Sequence, residues 1–422
     1  MMPGCKPKLL YITRRWPART GGGTVMRGGI LIEALAATHD VYALIVNSGG
    51  VPEDRRMDCA EWCKRVEYCR VDEVQHEAYR GLRWRGDPEN LLAAELASPL
   101  TFFESTASDE AVAMAAKVYE DVAFETVHIS RLHMAAFARP YLASRNGTRP
   151  RRITLDLDDI ESKTHARLAG LHRSAGNSVY ARIHTIEAEK HLRLEREWIP
   201  RFDEVWVCSD EDRTELEANH RHAAAVTIPN AVRIPGTAPP QRSARLPTLF
   251  FIGNFAYFPN EDALLFFLSA ILPLIRKRLG RPFRFVIAGA GVSDVPSRLS
   301  VEPEVVVAGE VPDVAPYYDG ADVVIAPIRA GGGTRIKILE AFSFHKPVIA
   351  TPLAAEGLHV THGVELLLGS SPAEFAGACA ALLANQGLCA DLARRAFDFV
   401  RSRHSLESLT SLFARRCNSH SE

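Results

Sequence analysis

Apolar and polar positions alternate along the chain in a regular order. Short runs rich in β-branched and aromatic residues are separated by longer stretches that have the 3.6-residue period of a helix. This order is typical of βαβ units, which build parallel sheets covered by helices on both faces. We therefore predict an α/β protein with doubly wound, Rossmann-like sheets.

The strand-like runs fall into two series. The first comprises 8–13, 40–46, 125–130, 152–157, 204–209 and 225–229, and the second comprises 248–253, 283–289, 304–309, 322–328 and 347–352. A chain of 422 residues exceeds the roughly 250–300 residues at which a single core stops growing. We therefore expect each series to form a domain of its own.

A proline- and arginine-rich segment without apolar periodicity, 233–247, separates the two series and predicts an exposed linker. The predicted domains are then an N-terminal one, 1–232, and a C-terminal one, 248–391. A closing helical stretch, 392–422, is expected to pack back on the N-terminal domain. Residues 49–105 fit the alternation of strands and helices poorly, so we interpret them as an insertion or a lid.

Composition narrows the choice of partners and location. The chain has 50 basic and 51 acidic residues, so no overall charge attracts it to nucleic acid. The apolar run at the N-terminus is too short for a signal sequence, and no later stretch of about 18 residues reads as continuously apolar. We expect a cytoplasmic protein. Its eight cysteines are scattered, which favours reduced thiols over a metal site.

Two basic segments that contain aromatic residues, 79–86 and 138–152, have two interpretations. They could contact a membrane surface or a phosphorylated acceptor, or they could be solvated loops. We favour solvated loops. Peripheral contact with the inner face of a membrane stays open as an alternative.

Ligands of doubly wound sheets bind beyond the carboxyl ends of the strands, so glycine-rich loops at those ends are candidate sites. Gly21, Gly22 and Gly23 follow the first strand and precede a helix. The free N–H groups at the start of that helix could hold a phosphate or a carboxylate. A flexible turn is the alternative, but three glycines exceed what a turn requires. The spacing is not that of the dinucleotide motif.

The stronger candidate is GGGTRIKILEA (331–341), which follows a strand and opens a helix. Lys337 and Glu340 are three residues apart and therefore neighbours on one helix face. The amides at the helix start, the helix dipole, Arg335 and Lys337 would suit a diphosphate, and Glu340 could accept hydrogen bonds from sugar or ribose hydroxyls. An ordinary surface ion pair is the alternative, but glycines, cations and acid all fall at one strand end.

The second half of the chain resembles glycosyltransferase family 4, the retaining glycosyl transferases group 1. The resemblance is carried by 251–267, 285–291, 307–342 and 346–358, and more weakly in the first half by the glycine loop, 155–162 and 228–232. It implies the GT-B fold, in which two Rossmann-like domains face a central cleft. It also implies transfer of a sugar from a nucleotide-diphosphate sugar to an acceptor hydroxyl, for example in polysaccharide or glycoconjugate synthesis.

The family pattern implies roles for individual residues. Glu340 would bind the donor ribose, and Lys337 with Arg335 would hold the diphosphate. Gly332 stands where many relatives have a glutamate that contacts the transferred sugar, so a backbone amide would take that role and the sugar stays unidentified. The predicted donor-binding set is Gly22, Gly23, Asn254 near the phosphates, Glu310 and Val311 near the base, Gly332, Gly333, Thr334, Arg335, Lys337 and Glu340.

On the acceptor side, relatives often place a histidine where this chain has Ser130. His133 lies three residues later and is our candidate for orienting the substrate or transferring a proton, with lining of the following helix as the alternative. Asp156 is predicted to line the acceptor cleft with Ser130. The predicted catalytic residues are His133, Lys337 and Glu340.

Asp156, Asp158 and Asp159 could suggest a metal site for the diphosphate. GT-B relatives use positive charge and helix dipoles instead, so we predict no metal and no cofactor beyond the nucleotide-sugar co-substrate. The expected partners are that donor and a glycan, lipid-linked or small-molecule acceptor. Two other functions stay open: a nucleotide-sugar epimerase of the same fold, and a non-catalytic protein that binds sugar nucleotides.

Overall fold

A computed structural model describes residues 6–71, 77–79, 87–143, 149–220, 223–236, 246–292 and 302–419. The chain divides into two compact units: Met1–Pro229 with Leu409–Glu422, and Asn230–Ser408. The domain bounds expected from the sequence stay a prediction. Most of the expected linker, residues 80–86 of the first basic segment and 144–148 of the second lie outside the described residues.

The first unit contains a parallel sheet of seven strands in the order β3-β2-β1-β4-β5-β6-β7. The strands are β1 (Lys8–Thr13), β2 (Asp40–Asn47), β3 (Arg65–Arg70), β4 (Thr126–Ser130), β5 (Arg152–Asp158), β6 (Glu204–Val207) and β7 (Ala225–Thr227). The helices are α1 (Gly23–Ala36), α2 (Glu53–Trp62), α3 (Pro88–Ala97), α4 (Asp109–Lys117), α5 (Arg139–Leu142), α6 (Glu161–Ser174), α7 (Ser178–Trp198) and α8 (Asp210–Asn219). Its central strands are buried along almost their whole length because helices cover both faces.

The second unit contains a parallel sheet of six strands in the order β10-β9-β8-β11-β12-β13. The strands are β8 (Thr248–Ile252), β9 (Arg284–Ala288), β10 (Val305–Gly309), β11 (Val323–Ala326), β12 (Val348–Ala350) and β13 (Leu367–Leu368). The helices are α9 (Phe258–Phe266), α10 (Leu272–Leu279), α11 (Ala315–Gly320), α12 (Ile336–Ser343), α13 (Pro352–Ala355), α14 (Pro372–Ala384) and α15 (Gln386–Arg403), followed by α16 (Leu406–Ser419). From Leu409 onward α16 belongs to the first unit, where Phe413 contacts Trp206.

Both sheets have the strand order of a doubly wound fold, which confirms the predicted α/β class. The order reverses between β1 and β4 in the first unit and between β8 and β11 in the second. Ligands of such sheets bind at this reversal, beyond the carboxyl ends of the strands. The two glycine loops follow β1 and β11, so both lie at a reversal point.

The region 49–105, interpreted above as an insertion or lid, contributes α2, β3 and α3 to the first unit. β3 pairs in parallel with β2 from Arg65 to Arg70 and is the edge strand of the sheet. Its sequence, RVEYCR, has charged residues at three of its six positions, as suits an edge strand that is only partly covered. This polarity is why the strand is not evident from the sequence.

One helical stretch in the described chain, Phe258–Leu279, is long and apolar enough to cross a membrane, judged by length and composition. This stretch differs from the expectation that no segment of about 18 residues is continuously apolar. It consists of α9, a π-helical turn (Phe267–Ile271) and α10. More than half of its most apolar window, 56%, is buried inside the unit. The apolar side chains include Phe267 and Ile271 in the hydrophobic core, which accounts for the composition.

Candidate functional site

The loop between β11 and α12 requires glycine at two positions. Gly331 has a φ of +119° and Gly333 a φ of +62°, which lie in the region that other residues rarely adopt. A Cβ on Gly331 would lie 3.2 Å from Nη2 of Arg335 and 3.4 Å from the Tyr257 hydroxyl. The glycines therefore allow the loop to wrap closely around the Arg335 guanidinium. We call Gly331–Gly333, Arg335, Lys337 and Glu340 the α12 cradle.

Arg335 immediately precedes α12 and folds back on the loop. Its Nη1 donates to the carbonyl oxygens of Gly332 and Gly333, the second at 2.6 Å. Its Nη2 is buried and has no hydrogen-bond partner among the residues that the structure describes. An unpaired buried donor on a cation is costly unless a ligand completes it. Arg335 thus offers a free cationic donor at the start of the helix, where the dipole also favours an anion.

Lys337 points its ammonium group toward the loop after β8. Its Nζ donates to Oδ1 of Asn260 at 2.7 Å and lies 4.7 Å from the centre of the Phe251 ring. Burial and the nearby Arg335 together lower the pKa of Lys337 to about 7, against the opposing effect of Glu340. The ammonium therefore titrates near neutral pH, and a bound anion would favour its charged form.

Asn260, near the start of α9, connects Lys337 to the loop that contains Asn254. Its Nδ2 donates to the carbonyl oxygen of Asn254 at 2.8 Å. The Asn254 side chain accepts from the backbone N–H of Ala256 at 3.0 Å and is exposed at the surface. The predicted phosphate-contacting residue Asn254 is thereby brought to the cradle through Asn260. The sequence analysis did not single out Asn260.

Glu340 lies one turn further along α12 than Lys337. The Tyr318 hydroxyl is 3.5 Å from its Oε2, and Tyr318 itself is fully buried against Phe344. Burial raises the pKa of Glu340 to about 7, while the Tyr318 hydroxyl and Lys337 oppose that rise. Polar contacts to the carboxylate, such as hydroxyl groups of a ligand, would favour its ionised form.

Thr334 is buried and holds the loop in place. Its Oγ1 accepts from Nδ2 of Asn230 at 2.9 Å, and the Asn230 carbonyl oxygen lies 2.7 Å from Nδ1 of His404. These contacts anchor the loop at its last residue before Arg335. A direct contact of Thr334 with the donor stays a prediction.

The structure gives the positions of the other predicted donor residues, and their contact with the donor stays a prediction. Glu310 and Val311 follow β10, on the same sheet edge as the cradle and two strands away from β8. In the first unit, Gly22 and Gly23 stand at the start of α1, and a Cβ on Gly22 would meet nothing within 4 Å. The backbone at Gly22 is therefore open to a ligand.

In the first unit, His133 lies in a 3-10 helix, Leu132–Ala138, that follows β4. Its ring is 5.1 Å from the Phe103 ring, and burial and Arg131 lower its pKa to about 3. His133 is therefore neutral at physiological pH. Ser130 is buried at the end of β4. The catalytic role of His133 and the acceptor role of Ser130 stay predictions.

Asp156 is part of a buried ion pair. Its two carboxylate oxygens accept from Nε and Nη2 of Arg27 at 2.9 and 2.7 Å, and both side chains are 2% exposed. Burial would raise the pKa of Asp156, but the attraction of Arg27 outweighs it and lowers the pKa. The predicted acceptor role stays untested. The sequence signal for this pair was Arg27 itself, the one basic residue within the mostly apolar helix α1.

The family profile described as Glycosyl transferases group 1 matches residues 246–385, which include the whole α12 cradle and Asn260. An uncharacterized 44.6 kDa protein in the cps region of Klebsiella pneumoniae is 22% identical over 171 residues, which cover 39% of this chain and 44% of that protein. The match thus spans less than half of the length of this curated relative.

Solved structures share the fold of the entire chain. Sucrose-phosphate synthase from Thermosynechococcus elongatus has a TM-score of 0.69 at 14% identity, with 98% of this chain and 99% of that chain covered. Anabaena HepE in complex with UDP-glucose has a TM-score of 0.65 at 16% identity, covering 98% and 100%. S. aureus TarM in complex with fondaparinux, alpha-GlcNAc-glycerol and UDP has a TM-score of 0.66 at 11% identity, covering 97% and 99%. The predicted GT-B fold is therefore confirmed.

Proposed function

We propose that this protein is a retaining glycosyltransferase that uses a nucleotide-diphosphate sugar and binds the donor at the α12 cradle. The observation that supports it most directly is the unpaired buried Nη2 of Arg335. It stands at a helix start that also carries Lys337, and the profile match covers both. A diphosphate would complete the hydrogen bonding of the arginine and restore the charge of the lysine.

Successive parts of the donor would contact successive residues along α12. The diphosphate would contact Arg335, Lys337 and the free N–H groups at the helix start, and the ribose hydroxyls would donate to Glu340. HepE and TarM are both described with UDP, so UDP-sugars are the first donors to test. We leave the sugar open because Gly332 offers no side chain to select it.

The reaction is a displacement at the anomeric carbon. The bond from that carbon to the diphosphate oxygen breaks, and a bond to the acceptor oxygen forms on the same face of the sugar. The acceptor hydroxyl gives its proton to the departing phosphate. Lys337 and Arg335 stabilise the negative charge that develops on the leaving group. Neutral His133 is our candidate for orienting the substrate.

The acceptor is proposed to be a glycan, a lipid-linked sugar or a small molecule. We propose a cytoplasmic location, with peripheral membrane contact through 79–86 or 138–152 as the open alternative. Cell fractionation with and without high salt would separate the two. Release from membranes by salt would support peripheral contact, since such contact is electrostatic.

The test is a panel of UDP-sugars with cell extract as acceptor, followed by measurement of UDP release and mass spectrometry of the products. Acceptor-dependent UDP release and a product with the anomeric configuration of the donor would support the proposal. Conversion of the donor without an acceptor would indicate an epimerase, and binding without turnover would indicate a sugar-nucleotide-binding protein.

Two variants locate the site. Lys337→Ala is expected to abolish measurable transfer and to weaken UDP binding, as is Glu340→Ala. Lys277→Ala, an exposed lysine on α10 of the same unit, is the matched control and should leave both unchanged. UDP binding that survives both Lys337→Ala and Glu340→Ala would show that the donor binds elsewhere.

A further inference from the structure

A second group of polar side chains lies in the first unit, on the helix pair α6 and α7. Glu161 and His165 are four residues apart on α6, so they share one helix face. His191 comes from α7. One potential ligand atom from each of the three lies within 4.8 Å of the others. Their spacing in the sequence gives no sign of this grouping.

The hydrogen bond of His191 fixes which of its nitrogens is free, and that of His165 allows the same arrangement. Nδ1 of His191 is 2.8 Å from the carbonyl oxygen of Glu187, and because a carbonyl can only accept, Nδ1 carries the proton. Nε2 of His191 then has a free lone pair. Nδ1 of His165 is 3.0 Å from Nδ1 of His184, and when His165 donates this bond its Nε2 is free as well. Metal-binding histidines typically donate their other N–H in this way.

The ligand types also suit a metal. Glu161 supplies a carboxylate, which forms an ion pair with Arg131 through one of its oxygens, and His165 and His191 each supply an imidazole ring. Carboxylates and imidazoles are the ligand types that zinc binds.

The two rings lie next to each other and near solvent. The His165 and His191 rings stack with centroids 4.8 Å apart and an angle of 15°, so one ring must rotate for both nitrogen lone pairs to point at one ion. Arg131 bonds Oε1 of Glu161, which leaves Oε2 for a ligand. The side chains of Glu161 and His165 are 16% and 18% exposed, so an ion can reach them from solvent.

The nearby aspartates are less suitable. Asp158 and Asp159 were the acids that suggested a metal in the sequence, yet Nη1 of Arg131 contacts both at 2.8 Å. A cation there would have to displace the guanidinium. The two histidines offer imidazole nitrogens instead, and Glu161 offers the carboxylate oxygen that Arg131 does not contact.

We propose that Glu161, His165 and His191 bind a divalent transition-metal ion, with zinc as the preferred ion. Two imidazole nitrogens and one carboxylate oxygen are a common zinc ligand set that leaves a fourth position for water or another oxygen ligand. Zinc bonds of about 2.0–2.2 Å require the ligand atoms to draw closer than their present separation, which side-chain rotation allows. The ion would tie the start of α6 to α7.

The test uses the full chain after dialysis against a chelator. Calorimetric titration with Zn²⁺ at pH 7 is expected to show one equivalent bound. Glu161→Gln and His191→Gln should each weaken binding by more than about 100-fold. His184→Gln removes the supporting hydrogen bond and the ring contact to His165 but no proposed ligand, so it should weaken binding by about 10-fold. His362→Gln, an exposed histidine of the second unit, is the control and should bind as the unchanged protein does. Absence of one-equivalent binding, or equal affinity in all variants, would overturn the proposal.

Two further measurements do not depend on the stability of the variants. Co²⁺ bound to the unchanged protein is expected to show visible absorption of nitrogen and oxygen ligation; a strong near-ultraviolet band of thiolate ligation would mean that cysteines hold the ion and would refute the site. Zn²⁺ should raise the unfolding temperature of the unchanged protein, since the ion binds the folded form. No rise at saturating Zn²⁺ would also overturn the proposal.

Discussion

At the scale of single residues, the α12 cradle holds its charge in groups that titrate near neutral pH. Burial brings the pKa of Lys337 down to about 7 and that of Glu340 up to about 7. Near neutral pH each residue is therefore only partly ionised in the free protein. A bound diphosphate would favour the ionised form of Lys337, and ribose hydroxyls would favour that of Glu340. Donor binding should consequently change the protonation of both residues.

The first prediction concerns the pH dependence of UDP binding. A diphosphate favours charged Lys337 and raises its pKa, so the contribution of Lys337 to the affinity is fully present below about pH 7 and falls as the pH rises above the free-protein pKa. Lys337→Arg stays charged, so this alkaline fall should disappear. Calorimetry between pH 7 and 9, in buffers of different ionisation enthalpy, measures both the affinity and the proton uptake. An equal alkaline fall in Lys337→Arg would contradict the assignment.

The second prediction concerns the contact between Glu340 and the ribose. Glu340→Gln should weaken UDP binding by about 1.5–3 kcal/mol, the value of a hydrogen bond to a charged group. The 2′,3′-dideoxy analogue of UDP should lose a similar amount with the unchanged protein and little more with Glu340→Gln. Calorimetric titration of both nucleotides into both proteins gives the four binding free energies of a double-mutant cycle. Additive losses would mean that Glu340 does not contact the ribose hydroxyls.

The third prediction concerns the buried ion pair of Arg27 and Asp156. Arg27→Met leaves an unpaired buried carboxylate and should lower the free energy of unfolding by about 3–5 kcal/mol. The double variant Arg27→Met with Asp156→Leu should recover most of that loss. Urea denaturation measures both. Arg213→Met, on the exposed pair with Glu217, should cause no measurable change. Equal stability of the single and double variants would contradict the argument.

The sequence predicted the cradle because its chemistry is contiguous. Gly331, Arg335, Lys337 and Glu340 lie within ten residues, so strand, loop and helix signals could be combined with charge. Asn260 could not be predicted, because it is 77 residues from Lys337 and an asparagine near a helix start usually has a capping role. Pairings across the fold leave no signal in the sequence of either partner.

At the scale of elements, strands that are buried were predicted correctly from the sequence, and a strand that is only partly buried was missed. The central strands of both sheets are continuous apolar runs, and these runs were predicted to within a few residues. β3 was missed because it is an edge strand with alternating charge. The helix of the cradle starts at Ile336, because Thr334 is held by Asn230 and Arg335 folds back on the loop.

The fourth prediction concerns the approach of two strand ends beside the cradle. Gly289, after β9, has a φ of +135°, and a Cβ there would lie 1.8 Å from the carbonyl oxygen of Gly253, after β8. Gly289→Ala should therefore lower the free energy of unfolding by about 3 kcal/mol or more, from backbone strain and overpacking together. Gly280→Ala is the matched control, since it has a φ of +62° with nothing within 4 Å and should cost about 1–2 kcal/mol. Denaturation by urea distinguishes them, and equal losses would refute the steric argument.

At the scale of the whole molecule, two sheets of related strand order each bring a glycine loop to the point where the order reverses. The sequence predicted two such sheets from length and periodicity. The sequence could not show which of the two units contains the cradle, the buried ion pair and the histidine group. The cradle lies wholly within 230–408, and Arg27, Asp156 and the three proposed metal ligands lie in the other unit.

The fifth prediction follows from this division. UDP at 100 times its dissociation constant should stabilise the second unit by about 2.7 kcal/mol, because it binds the folded form of that unit. The slowest-exchanging amides of β8 and β11 should then exchange about 100-fold more slowly, measured by hydrogen exchange and mass spectrometry. Lys337→Ala removes a cradle residue without altering the core strands, so it should exchange at the ligand-free rate at the same UDP concentration. Protection of β8 and β11 that persists in Lys337→Ala, or that is absent from the unchanged protein, would place the nucleotide outside the cradle.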